Sequence, residues 1–281
     1  MLDIKKIIES GQLFNYEILS PTTWLFKYKR DYVVIEFCED GYVFYCDEWI
    51  LNQIWYPYFD LNRNYASIQK KIIEIDPRLE AIVDYYSGVR ILRQDPFEML
   101  ISFILSQSKA IPQIRKLIST ISTTYGTKMA DIDNSVDATQ IALYQFPTAK
   151  QLQQVDEEDF RRLKCGYRAP YLVDAIAFEL NTPMESLVHL SDEQLHKQLL
   201  SIKGVGNKVA ACVMLFGFGR MQTFPVDTWM RKIMMQLYFP MQEKVNDKQI
   251  ELYGLELFAE NAGIAQQYLF EYGRRKKSFK N

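Results

Sequence analysis

The sequence predicts an α+β protein: a small N-terminal antiparallel β-sheet domain followed by a mostly α-helical body containing a helix–hairpin–helix motif. Three observations carry that expectation. From about residue 11 to 60, aromatic and β-branched side chains recur at period two. After Pro57 the apolar period changes to 3.6 and stays there. Towards the C-terminus, two apolar segments meet at Ile202-Lys203-Gly204-Val205-Gly206, where two glycines one residue apart make a tight hairpin.

Taken in order, residues 1–10 form a short amphipathic segment that stops at Ser10-Gly11. Trp24–Tyr28, Tyr32–Phe37 and Tyr42–Cys46 read as three strands, with turns at Arg30-Asp31 and Glu39-Asp40-Gly41. Ile68, Ile72 and Ile73, then Leu79, Ile82 and Val83, mark one or two short helices. Pro96 suits the first turn of the next helix, Phe97–Leu105, which is apolar on nearly every side and so is expected at the centre of the body. An amphipathic stripe follows from Ile111 to Ile121. Residues 127–137 are polar and read as a surface loop. Helices are expected near 138–145, 157–164, 170–180, 193–201, 208–217, 228–238, 248–260 and 262–273, with stops at Pro147, Gly166, Pro183, Gly219 and Pro240. The expected division is a sheet domain with flanking helices over 1–95 and a helical body over 96–281, with the hairpin unit at about 193–218.

Composition bounds the function. The 281 residues are 48% hydrophobic and 24% charged, which describes an ordinary globular protein with no membrane span and no secretory leader. Cys38, Cys46, Cys165 and Cys212 are scattered without metal spacing, so free thiols in a reducing cytoplasm are expected. No cysteine lies in the C-terminal region, which excludes a four-cysteine iron–sulfur cluster there. A net charge of −2 argues mildly against a grip on long tracts of nucleic acid. Positive charge is local instead: Arg161, Arg162, Lys164 and Arg168 in one run, and Arg274–Lys277 in another. Solvated helix faces account for such runs as readily as binding does.

Chemistry concentrates around the hairpin. Gly204 and Gly206 expose backbone N–H groups at a helix N-terminus, a ready site for a phosphate oxygen. Lys208 lies in the first turn of that helix, where it either holds a phosphate or acts as a nucleophilic amine. Phe224-Pro225-Val226-Asp227 then reads as a loop ending in an Asp N-cap; Asp227 either only caps its helix or also stabilises positive charge on a substrate.

These residues resemble the helix–hairpin–helix DNA glycosylase superfamily, whose Gly-Pro-Asp-type signature ends in a catalytic carboxylate. A lysine at position 208 is similar to the members that are both glycosylase and lyase. Most of the chain resembles the 8-oxoguanine DNA glycosylase/lyase of the eukaryotic type, through five separated motifs in order: Ser10–Phe14, Gly88–Pro96, Gly166–Ala169, the hairpin with Pro225–Asp227, and Ala262–Gln266 with Phe270. The resemblance implies a bifunctional enzyme that removes 8-oxoguanine from duplex DNA through a lysine Schiff base and nicks the abasic strand. Lys208 and Asp227 would be catalytic. Gly11, Cys212, Gln266 and Phe270 would surround the extruded base, although Cys212 and Phe270 read from sequence alone as ordinary core residues.

By the same resemblance Ser108, Tyr167, Arg168, Gly204 and Gly206 would contact DNA, Tyr167 as a wedge and Arg168 towards the orphaned base. The backbone carbonyls of Leu200, Ile202 and Val205 would hold a structural cation bridging to phosphate. No cofactor is required, the partner is duplex DNA carrying a damaged base, and the chain is expected to be a monomer in the cytoplasm, at the nucleoid if bacterial. The sequence departs from the eukaryotic pattern in Ser108-Lys109-Ala110 and Gln113, where that pattern has an Asn-rich run and an Arg, so strict selection for an opposite cytosine is in doubt. Trp229 also stands where the pattern has a His near a phosphate. Two competing readings remain: an alkylbase glycosylase, which would be indifferent to Lys208, and a non-catalytic hairpin module.

Overall fold

The computed structural model describes residues 2–134 and 139–276. After α1 (Ile4–Glu9), four strands, β1 (Tyr16–Ser20), β2 (Thr23–Tyr28), β3 (Asp31–Cys38) and β4 (Gly41–Tyr45), form an antiparallel meander in the order β1-β2-β3-β4. One strand more than expected is present. A break in register between Ile18 and Ser20 interrupts the alternation of β1, which hid it from a period-two reading. One face of the sheet carries Tyr16, Trp24, Phe26, Val33 and Ile35 into a core closed by Trp55, Tyr58 and Phe59. Those three come from a helical stretch that the sequence did not announce. It runs from α2 (Glu48–Ile50) through one π turn (Leu51–Trp55) to α3 (Tyr56–Tyr58), and Pro57, which lacks an N–H, lies just past the widened turn.

α4 (Tyr65–Ile75) and α5 (Glu80–Tyr85) pack into the helical core rather than onto the sheet. α6 (Pro96–Ser106) starts at an Asp95 cap, whose Oδ1 accepts from the Glu98 N–H at 2.9 Å, and is buried from Phe97 to Leu105. α7 (Ile111–Tyr125) follows. The next segment corrects the sequence reading: where a loop over 127–137 and a helix near 138–145 were expected, β5 (Lys128–Asn134) and β6 (Thr139–Tyr144) pair as a hairpin. Residues 135–138 lie outside the described residues, as does Lys277 of the C-terminal basic run. The cause is tertiary. Met129, Ala130, Ile132, Ile141 and Leu143 cover Leu19, Leu25 and Val34 on the second face of the sheet, and only that burial favours strand over loop.

The remaining helices are α8 (Ala149–Leu152), α9 (Glu157–Arg162), α10 (Ala169–Asn181), α11 (Asp192–Leu200), α12 (Asn207–Phe216), α13 (Thr228–Tyr238), α14 (Asp247–Phe258) and α15 (Ala262–Lys276). α12 lies directly on α6, and α13 on α15. No helix of the described residues is long and apolar enough to cross a membrane.

Burial and, less strongly, the nearby Asp95 charge together push the Glu98 carboxyl in α6 up to about 8, against a hydrogen bond with Asn15 and the Lys27 charge, which lower it. The folded state therefore holds a proton that the unfolded chain releases above its ordinary value of 4.5. Stability from this group is complete at acid pH and declines as pH rises towards 8, by at most about 1.4 kcal/mol per pH unit. Glu98→Gln should flatten the fall in melting temperature between pH 5 and 8; an unchanged slope would show that Glu98 does not carry the proton.

Candidate active site

The hairpin positions the amine. Gly204 has φ +82, and a Cβ there would stand 2.3 Å from the Tyr171 ring, so both the turn and the packing require glycine. Gly206 caps α12 in an extended conformation at φ −99, and a Cβ would meet nothing within 4 Å. Its bare backbone faces open space. The Lys203 N–H donates to Asp174 Oδ2 at 2.7 Å, fastening the hairpin to α10.

Lys208, in the first turn of α12, is half-buried with Nζ 4.9 Å from the centre of the Phe103 ring. Cys212 sits one turn further on and is buried; burial pushes its thiol above the usual range and the facing Lys208 charge only partly offsets this, so it stays a neutral thiol at pH 7. Asp227 caps α13, one carboxylate oxygen, Oδ1, accepting from the N–H groups of Trp229 (2.9 Å) and Met230 (2.8 Å). Both interactions of the cap use the same oxygen. Lys208 and Asp227 line one pocket, yet no ion pair joins them among the described residues.

The other wall comes from the two ends of the chain. Gly11, at φ +73, lines the pocket beside Phe270 and Gln266 of α15. Its segment is locked by buried amides: Gln267 Nε2 donates to the Ser10 carbonyl (2.8 Å), Gln12 Nε2 to the Arg90 carbonyl (2.9 Å), and Gln94 Nε2 to the Gln12 carbonyl (2.7 Å). Gln266 Nε2 donates to the Pro225 carbonyl at 3.1 Å, while its Oε1 is buried with no partner. The inner pocket has a volume of about 50 Å³. A cavity of roughly 150 Å³ is what holds a benzene, so a purine enters only if this pocket opens. An outer groove of about 380 Å³, lined by Lys109, Trp229, Phe270 and Arg274, meets it at Lys208 and Asp227.

The sequence-predicted residues thus fall into two groups. Lys208, Asp227, Gly11, Cys212, Gln266 and Phe270 converge on one pocket. Ser108, Tyr167 and Arg168 gather elsewhere, at the C-terminal end of α6: Ser108 is exposed at φ +54 and Tyr167 is half exposed, but Arg168 is turned inward and only 4% exposed. Of the three hairpin carbonyls, that of Ile202 accepts from the Val205 N–H at 3.0 Å. Among the described residues no three His, Cys, Asp or Glu side chains converge to hold a metal ion. Sequence reasoning missed Phe103, Lys109 and Gln267. An adjacent pair of glutamines in an apolar helix was a usable signal for Gln267; Phe103, inside a wholly apolar segment, gave none.

A lysine on a hairpin helix and a helix-capping aspartate lining one pocket are the arrangement expected of a DNA base-excision protein, and comparison with known proteins places the chain in that class. Residues 101–260 match the HhH-GPD superfamily of base excision DNA repair proteins, and residues 1–100 match the N-terminal domain of 8-oxoguanine DNA glycosylase. The chain belongs to that superfamily and, within it, to the 8-oxoguanine DNA glycosylase family. It is similar to the 8-oxoguanine glycosylase/lyase of Clostridium acetobutylicum, solved with duplex DNA containing cytosine opposite 8-oxoguanine: 36% identity, TM-score 0.90, covering 98% of this chain and 93% of that one. The N-glycosylase/DNA lyase OGG1 of Arabidopsis thaliana is 33% identical over 69% of this chain and 54% of its own length, so the match spans about half of that relative. A probable N-glycosylase/DNA lyase of Methanothermobacter thermautotrophicus is 28% identical over 77% of this chain and 72% of its own.

Gly204→Ala should lower stability by about 1–3 kcal/mol, because its Cβ overpacks the Tyr171 ring. Tyr171→Ala in the same chain should recover part of that loss in thermal unfolding. No recovery would place the cost in the backbone conformation alone.

Proposed function

We propose that the chain excises 8-oxoguanine from duplex DNA through a Schiff base on Lys208 and then nicks the abasic strand by β-elimination. The observation that supports this most is the orphaned Gln266 Oε1, a buried acceptor in the pocket that also holds Lys208 and Asp227. An unpaired buried acceptor costs roughly 1–3 kcal/mol, and the Watson–Crick edge of a guanine-type base carries the N1–H and N2 amino donors that satisfy it.

In this reading the base leaves with the electron pair of its glycosidic bond, and Asp227 stabilises the positive charge left on the sugar. Lys208 gives up one proton and bonds to C1′ through its amine, and a second proton passes to O4′ as the ring opens, leaving a protonated imine. Loss of a proton from C2′ then expels the 3′ phosphate. Phe103 beneath Nζ keeps water from one side of the amine. Gly11 would offer its carbonyl to the N7 hydrogen that 8-oxoguanine has and guanine lacks, with Cys212 and Phe270 on the two faces of the ring. Gly206 leaves room for a phosphate to approach the amides at the start of α12. The carbonyls of Leu200, Ile202 and Val205 are oxygen donors of the kind a hard cation takes, and such an ion would bridge the hairpin to that phosphate. No redox cofactor enters the scheme. The protein would act as a monomer where DNA is held, in the cytoplasm.

Borohydride should link the protein covalently to a duplex carrying 8-oxoguanine, and Lys208→Gln should abolish the link while DNA binding persists. Asp227→Asn should fold and lose excision by roughly two orders of magnitude or more. Trapping that survives in Lys208→Gln puts the nucleophile elsewhere. Excision of an alkylated purine by Lys208→Gln, with none of 8-oxoguanine by the unaltered chain, would favour the alkylbase reading.

A further inference from the structure

Three elements meet at Gln107, the residue that ends α6. Its main-chain carbonyl accepts from the Arg168 guanidinium and, at 3.5 Å, from the Tyr167 hydroxyl. Its side-chain Nε2 donates to the carbonyl of Gly204 in the hairpin at 2.9 Å. The next residue, Ser108, is held at φ +54, a conformation that costs an L-residue free energy and persists only where its surroundings fix it. Arg168 is buried here, lies over the Tyr167 ring at 4.2 Å, and makes one long contact to the Cys165 carbonyl at 3.4 Å. Its Nε has no partner. The guanidinium fork is therefore stored inside the protein with its donors incompletely used, a position it gives up only for better acceptors.

We propose that Gln107 is a positioning residue for reading the base opposite the lesion: its carbonyl is the rest position of Arg168, and its side chain, anchored on Gly204, holds that rest in place. The proposal builds on the reading of Tyr167 and Arg168 as the groups that enter the gap left by the extruded base. Its consequence is a net selectivity equal to what Arg168 gains on the orphaned base minus what it loses at Gln107. Cytosine offers two adjacent acceptors, N3 and O2, to a guanidinium fork. On adenine, guanine and thymine each acceptor of the Watson–Crick edge adjoins a donor, so Arg168 stays with Gln107. Weakening the rest position should therefore raise the preference for cytosine, whereas removing the Arg should erase it. A residue that merely stabilises the fold would do neither.

The test uses single-turnover excision of 8-oxoguanine opposite cytosine and opposite adenine. Gln107→Met keeps the length of the side chain and loses the donor to Gly204. It should raise the cytosine-to-adenine rate ratio by up to about tenfold, the equivalent of one net hydrogen bond, with the rate opposite adenine unchanged. Arg168→Ala should bring the ratio close to one, and the double variant should behave as Arg168→Ala. A Gln107→Met that slows both rates equally, leaves the ratio alone, or raises it without Arg168 overturns the proposal. An Arg168→Ala chain that keeps its ratio refutes the reading of Arg168 itself. Should Gln107→Met not fold, arginine-selective ¹⁵N labelling of the unaltered chain answers the same question, with the Arg168 signal assigned by Arg168→Lys. The Arg168 Nε–H should be protected from exchange in the free protein and with an abasic duplex opposite adenine, and should shift with an abasic duplex opposite cytosine. Rapid exchange in the free protein contradicts a stored guanidinium.

Discussion

The pocket depends on one junction between chain ends: the amide of Gln267 in α15 holding the carbonyl of Ser10, 257 residues away in sequence. Gly11 reaches the pocket because of it, and a Cβ at Gly11 would stand 3.4 Å from Ile111 Cδ1 and 3.5 Å from Phe270 Cε1. The bond is buried, so removing the donor would leave a carbonyl without water or partner. Gln12 and Gln94 extend the same lattice to the strand-like segment before α6. Through them the N-terminal segment, the approach to the central helix and the last helix are tied together. The amine and carboxylate come from a second piece, α12 and α13, seated on α6 and α15. The site is the seam between the two.

That seam is too narrow for a purine. About 50 Å³ lies between Lys208, Gln266 and Phe270, and Gln266 Oε1 is buried there without a protein partner. Closure and the orphaned acceptor oppose each other energetically. A purine that displaces the wall loses packing but satisfies Gln266, and the balance favours bases whose edge donates. In the proposed reaction extrusion would then be selective before any bond breaks, because a base lacking the right donors would open the pocket without offsetting the cost.

The part of the site around Lys208 and Asp227 was legible in the sequence for local reasons. The hairpin glycines, the α12 start at Asn207 and the Asp227 cap are each fixed by neighbours within a few residues, and the spacing of Lys208 from Asp227 follows. What it did not disclose depends on distant partners. β5 reads as a polar loop and β6 as a helix until Leu19 and Leu25 of the sheet bury their apolar side chains. The bulge in β1 and the π turn beside Pro57 break the periods by which strands and helices are recognised. Phe103 carries no mark of its place under Lys208, since every neighbour in α6 is also apolar. Arg168 was legible as a DNA-facing residue only by position in a motif; its inward turn onto Gln107 is a tertiary fact that no local pattern encodes.

In the proposed reaction the lesion base enters by opening this seam and takes Gln266 Oε1 as its acceptor. A crystal structure of Lys208→Gln bound to a duplex containing 8-oxoguanine tests it most directly. The predicted result is a base inside the enlarged pocket, with its N1–H or N2 amine on Gln266 Oε1 and the Phe270 ring moved away from Gly11. A base lodged in the outer groove by Trp229 and Arg274, with the inner pocket no wider and Gln266 Oε1 unpartnered, would rule out this mode of entry.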